Sequence, residues 1–202
     1  MRVKICGLTS IENVRAVVDA APDAIGLVLA ASPRQVSMAL AARLLAEIPS
    51  GIEKVAVFRE PAPGVLAEVI RLPFDTVQAW SSWDARALPE TMAFLPAFSD
   101  RLDLQRCVEA YVRCRPISGL GQILVDGAGG GGLGERVVVD RARDVSSQWP
   151  TVLAGGLSPE NVAGAIRRIH PNAVDVSSGV ESSPGVKDLA RVHAFIGAAR
   201  GI

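Results

Sequence analysis

The chain has 202 residues, 49% of them apolar and 21% charged, and its 21 basic and 21 acidic side chains cancel to a formal charge of zero, the profile of one globular domain. With no basic run and aromatics at only 4%, it lacks the electrostatic footprint and stacking platforms that nucleic-acid binding requires, so no nucleic-acid partner is expected. Its longest apolar run, residues 24–31, falls well short of the about 20 residues of a membrane-spanning helix, and no membrane partner is expected either.

Val3-Lys4-Ile5-Cys6 alternates as a strand from the outset. No apolar leader or small-residue cleavage site precedes it, which predicts a cytoplasmic protein. Its three cysteines, Cys6, Cys107 and Cys114, have no CxxC spacing, so neither a disulfide framework nor a zinc site is expected. Thr9-Ser10-Ile11-Glu12 has capping-box spacing, and Ile11, Val14, Val17 and Val18 follow at helical period. Further strand-like runs cover residues 24–29, 54–58, 75–78, a weak 92–95, 123–125, 151–154 and 173–176. Between them Leu40, Leu44, Leu45 and Ile48, and later Val162, Ala165, Ile166 and Ile169, form apolar helical stripes. Cys107 and Cys114 read as packing residues of a helix. Ser158-Pro159 predicts a hydroxyl cap followed by proline at the first helical position. Strict alternation implies a parallel sheet with right-handed crossovers, and eight units favour a closed (β/α)8 TIM barrel, one domain over residues 1–202. An open doubly wound sheet is the alternative, weakened by the lack of a GxGxxG turn after the first strand.

In such a barrel the working face lies at the C-terminal strand ends, and phosphate groups are commonly held by the loops after strands seven and eight. Here those loops read Ala154-Gly155-Gly156-Leu157-Ser158-Pro159 and Ser177-Ser178-Gly179-Val180-Glu181. Gly155, Gly156 and Gly179 let an anion approach the main chain, and Ser177 and Ser178 add donors. Either loop alone could be an ordinary turn; two in the appropriate units point to a phosphate-bearing ligand. Cys6 ends the first strand at the mouth, where it is either a reactive thiol or a small buried hydrophobe. Lys4 shares its strand parity, and Asp175, on the strand that neighbours the first once the barrel closes, is the expected anion for it. Asp126 ends strand six ahead of a glycine-rich segment, residues 127–134, that reads as a lid. Arg34 follows strand two and suits a carboxylate, which it can grip through paired N–H donors. His170 and His193 fall away from the mouth.

Taken together, Lys4-Ile5-Cys6-Gly7, Ser32-Pro33-Arg34 and the two C-terminal loops resemble the phosphoribosylanthranilate isomerases of tryptophan biosynthesis, in order, spacing and residue type. The resemblance spans most of the chain. It implies a cofactor-free Amadori rearrangement of a small-molecule phosphosugar, with Cys6 as general base and Asp126 as general acid. It further implies that Arg34 contacts the anthranilate moiety and that the last two loops hold phosphate, with Asp175 beside them as a substrate-binding residue. Units four to six depart from the family pattern. The family's Val-Gln-Leu-His-Gly is here Val77-Gln78-Ala79-Trp80-Ser81, and its Gly-Gly-Thr-Gly-Lys is Gly131-Gly132-Leu133-Gly134-Glu135. A catalytically degenerate barrel serving as a phosphosugar sensor or scaffold is the alternative, and retention of both Cys6 and Asp126 argues against it.

Overall fold

The computed structural model describes residues 1–114, 122–127 and 136–201. Eight parallel strands close into a barrel in chain order: β1 (Arg2–Cys6), β2 (Ala24–Val28), β3 (Glu53–Val57), β4 (Thr76–Trp80), β5 (Ala93–Ser99), β6 (Ile123–Asp126), β7 (Thr151–Leu153) and β8 (Ala173–Val176). Around them lie α1 (Ile11–Asp19), α2 (Met38–Leu45), α3 (Pro63–Val69), α4 (Leu104–Cys114), α5 (Val139–Ser146), α6 (Val162–Ile169) and α7 (Leu189–Arg200). A short hairpin, β9 (Glu181–Ser183) with β10 (Val186–Lys187), follows β8. None of the described helices is long and apolar enough to cross a membrane.

Period-two alternation divides the apolar residues into two compartments. Leu95, Ala97, Leu124, Val152, Ala154 and Ala173 fill the lumen, with Trp80 packed on them. Residues of opposite parity, such as Ile5, Leu27, Val77 and Leu153, face outward and are covered by helix side chains that include Val14, Leu44, Ile166 and Phe195. Each such large side chain contributes about 1.5–3 kcal/mol by burial.

The barrel departs from the sequence reading in several local details. Ser10, not Thr9, caps α1, accepting from the Asn13 amide at 3.2 Å, because the Thr9 hydroxyl is donated to the Gly185 carbonyl at 2.7 Å. Ser158-Pro159 opens a turn, and regular helix starts only at Val162; the Ser158 carbonyl accepts from both Asn161 and Val162. The weak fifth strand runs on to Ser99 through Pro96, which removes one N–H while Leu95 and Ala97 keep their inward register. No α-helix links β4 to β5. A 3-10 turn at Ala85–Ala87 takes its place, since Pro89 drives Leu88 into extended backbone and ends the turn. There Trp83 packs on Phe94, with ring centroids 5.4 Å apart. Cys107 and Cys114 lie on α4 but are exposed, so they are not packing residues; Leu104 and Val108 bury that helix.

Candidate active site

Alternation in β1 turns Lys4 and Cys6 into the lumen at the C-terminal mouth. Both are buried. Lys4 Nζ donates to Asp175 Oδ1 at 3.0 Å, across the β1–β8 register that pairs these two residues. Burial alone would lower the lysine pKa, but the Asp175 carboxylate and the neighbouring thiol outweigh it and hold the ammonium above the ordinary lysine range. A Cβ at Gly26, the β2 residue paired with Cys6, would stand 2.8 Å from Cys6 Sγ and 3.0 Å from Lys4 Nζ. The glycine therefore leaves the space that thiol and ammonium share. Burial pushes the Cys6 pKa up; Lys4 opposes this, Asp175 adds to it, and Lys187 opposes it again.

Arg34 reaches the same spot from the loop after β2, which is pinned to that strand by the Val36 N–H donating to the Val28 carbonyl. Its guanidinium is already engaged. Nε and Nη2 donate to the two carboxylate oxygens of Glu181 at 2.9 and 2.8 Å, an arrangement that leaves Nη1 to other acceptors. Glu181 Oε1 accepts a second charge-assisted bond, 2.7 Å from Lys187 Nζ, and that ammonium also donates to the Ser177 carbonyl at 3.1 Å. Despite burial, the bonds from Arg34 and Lys187 hold the Glu181 carboxyl below the usual glutamate range. Sequence reasoning assigned no role to either Glu181 or Lys187. The signal that could have found them is Pro184-Gly185, where proline and a left-handed glycine at φ 84° form the turn that folds β10 back over β9.

The two glycine-bearing loops meet beside this cluster. Gly155 and Gly156 have φ of 86° and 59°, open only to glycine at low cost. Asn161 staples their loop, its Oδ1 accepting from the Ser158 N–H at 2.9 Å and its Nδ2 donating to the Gly156 carbonyl at 2.8 Å. Gly179 presses so closely on that loop that a Cβ would lie 1.8 Å from the Leu157 carbonyl oxygen. Ser178 is half-buried, whereas the Ser177 hydroxyl is fully buried beside Gly7 and has no hydrogen-bond partner among the described residues.

Asp126 ends β6, three strands from β1 around the barrel, half-buried and with the parity of the lumen. Its Oδ1 accepts from the Gly127 N–H at 2.8 Å. Of the glycine-rich segment only Gly127 is described; the remainder, with Leu133 and Glu135, lies outside the described residues. The departures in unit four have different consequences. Ala79 is buried in the outer core, while Trp80 ends β4 packed against the lumen cluster. A cavity of about 1000 Å³ opens at the opposite end of the barrel. It does not mark the site: Arg2 and Thr76, which line it, are both bonded to Glu53, as befits the stability face of such a barrel.

Residues 3–198 match the family model for N-(5'-phosphoribosyl)anthranilate isomerase. Proteins named N-(5'-phosphoribosyl)anthranilate isomerase from Geobacter sulfurreducens and Dechloromonas aromatica are 37% and 39% identical to the chain. The alignments cover 100% and 98% of this chain and 99% and 96% of theirs. Among solved structures, the phosphoribosylanthranilate isomerase of Thermotoga maritima superposes with a TM-score of 0.84 at 32% identity, covering both chains completely. A further isomerase structure, in complex with reduced 1-(o-carboxyphenylamino)-1-deoxyribulose 5-phosphate, has a TM-score of 0.80 at 31% identity, again over the whole of both chains. The chain belongs to the N-(5'-phosphoribosyl)anthranilate isomerase family.

Proposed function

We propose that the chain performs this isomerisation in tryptophan biosynthesis with Cys6 as general base and Asp126 as general acid, as a cytoplasmic enzyme acting on a phosphosugar. The observation that carries the reading is the convergence at one mouth of a buried thiol, a carboxyl on the facing wall and two loops rich in glycine and serine. Phosphate binds between Gly155-Gly156 and Ser177-Ser178-Gly179, at main-chain N–H groups that an anion can approach closely. Arg34 takes the anthranilate carboxylate on its Nη1 side while Glu181 holds the other edge. Asp175, fixed by Lys4, has a second carboxylate oxygen for a sugar hydroxyl.

The aminoaldose resists rearrangement because its ring oxygen is a poor leaving group and its C2 proton is weakly acidic. Asp126, protonated, donates to the ring oxygen; the C1–O bond breaks and nitrogen supplies the electrons to form a protonated Schiff base. The cation acidifies C2. Cys6, as thiolate, removes the C2 proton, and the C–H electrons form a C1–C2 double bond while the C–N double bond becomes single. The resulting enolamine loses its C2 hydroxyl proton and gains one at C1, which gives the ketone with no net change in atoms or electrons. Complementation of a tryptophan auxotroph lacking this isomerase tests the reading. Growth is expected with wild type and not with Cys6→Ala or Asp126→Asn. Equal growth with wild type and Cys6→Ala would remove the thiol from the mechanism, and failure of wild type would favour a sensor or scaffold.

A further inference from the structure

Among the described residues, five buried charged side chains gather in two bonded groups at the mouth that holds Cys6, and their charges do not cancel. Lys4 is matched by Asp175 and Arg34 by Glu181, while Lys187 shares a carboxylate that Arg34 already holds with both oxygens. Three cations therefore face two carboxylates. All five side chains are at least nine-tenths buried, and that of Lys187 is 0% exposed. A buried charge left uncompensated is costly, so the surplus calls for an anion nearby. We propose that Lys187 is a positioning residue for proton abstraction, its ammonium supplying a counter-charge that favours the thiolate form of Cys6 over the thiol.

The geometry fits that role. Lys187 is held at the mouth by the Ser177 carbonyl, and Ser177 Oγ stands 3.1 Å from the Cβ position of Gly7, the residue next to Cys6. Its own backbone N–H is tied to Asn13 Oδ1 at 2.9 Å, which fixes the hairpin against α1. The charged groups that act on the thiol from the surrounding elements are Lys4 on β1, Asp175 on β8, Arg34 after β2 and Lys187 on the hairpin, with Glu181 bonded to the last two; Asp126 stands on the far wall. Removing Lys187 leaves two matched pairs and no surplus. Removing the charge of Glu181 doubles the surplus.

This inference rests on the reading of Cys6 as base, and its test is separable from that reading because it needs no turnover. In a Cys107→Ser/Cys114→Ser background, Cys6 is the remaining thiol, and its ionisation is followed by thiolate ultraviolet absorbance against pH in the ligand-free protein. Lys187→Met is expected to raise the midpoint by about one pH unit or more, Lys187→Arg to keep it near wild type, and Glu181→Gln to lower it. An unchanged midpoint in Lys187→Met, or the same direction of shift in Lys187→Met and Glu181→Gln, overturns the proposal, since a packing defect would not reverse sign with charge. If Lys187→Met does not fold, Glu181→Gln decides: a midpoint lower than wild type supports the proposal, and one unchanged or raised overturns it. Retained turnover in Cys6→Ala, with the titration shifts present, would instead refute the base while leaving the electrostatics intact.

Discussion

Substituting Gly179 by alanine tests whether the two proposed phosphate loops work as one unit. The new Cβ would lie 1.8 Å from the Leu157 carbonyl oxygen, 2.9 Å from its carbonyl carbon and 3.2 Å from Ser158 Cα. All three are backbone atoms, so no side chain can swing away, and the loops must part by on the order of 1 Å. Overpacking of this kind costs about 1–3 kcal/mol, and for a chain of this size each kcal/mol lowers Tm by about 2–4 °C. Binding should suffer more than stability. A shift of that size takes the N–H groups of one loop out of reach of an anion centred on both, and each hydrogen bond lost to a charged partner is worth about 1.5–3 kcal/mol, or roughly ten- to a hundredfold in affinity. Calorimetric titration with the reduced product analogue, and separately with inorganic phosphate, gives the binding loss, while a thermal melt gives the stability cost. Gly164→Ala is the control, because a Cβ at that α6 position meets nothing within 4 Å and should stabilise by about 0.5–1 kcal/mol. Wild-type affinity for both ligands in Gly179→Ala would show that the anion is not held between these loops.

Arg34→Ala leaves Glu181 still paired with Lys187 and so should fold, yet bind the product analogue roughly ten- to a hundredfold more weakly while binding inorganic phosphate as wild type does; equal loss for both ligands would refute contact with the anthranilate carboxylate. The profile of kcat/KM against pH should be bell-shaped, with its basic limb above the ordinary thiol value of about 8.5, because burial pushes Cys6 up; a basic limb well below that value would assign it to another group. Glu181 has a folded-state pKa below its ordinary value, so its pairing stabilises the fold above about pH 4.3 and that contribution is lost as pH falls through the lower folded value. The Tm difference between wild type and Glu181→Gln should accordingly shrink as the pH is lowered below about 4, and a difference that grows on acidification would contradict the pairing.

The barrel was legible because two periods, two and 3.6, recur along the chain and each sorts apolar residues without reference to distant contacts. Lys4 facing Asp175 could be foreseen for the same reason, since strand parity and barrel closure suffice to bring them together. What escaped depended on contacts or on proline. The missing helix between β4 and β5 turns on Pro89 restricting Leu88, and the length of β5 on a lumen pattern that tolerates Pro96. The exposure of Cys107 was not visible because one helical stripe of α4 can be drawn through Leu104 and Val108 or past them. Glu181 and Arg34 are 147 residues apart, and nothing local to either specifies the other. Pairing them requires knowing that the segment after β8 turns back across the mouth. The β10 residue that completes the cluster, Lys187, looks on sequence like any solvated lysine.

The proposed acid and base are required in states opposite to their intrinsic order, and this gives the charge cluster its significance. A free aspartate and a free thiol titrate at about 3.9 and 8.5. Between two such values the form with carboxyl protonated and thiol ionised is a constant minor species, about one molecule in 10⁴ to 10⁵, whatever the pH. The two limbs then bound a plateau whose height is set by the gap between the two pKa values, so each unit of narrowing raises it about tenfold. Burial at the mouth pushes Cys6 the wrong way. Lys4 and Lys187 act against that push, and the chain, which has three lysines in all, directs two of them to this spot. Substrate phosphate can be left to main-chain groups, which any sequence with glycine at the right turns supplies. The reacting pair needs more, because a buried excess of positive charge narrows the gap from the thiol side, and in the proposed arrangement the hairpin after β8 brings that excess to the mouth.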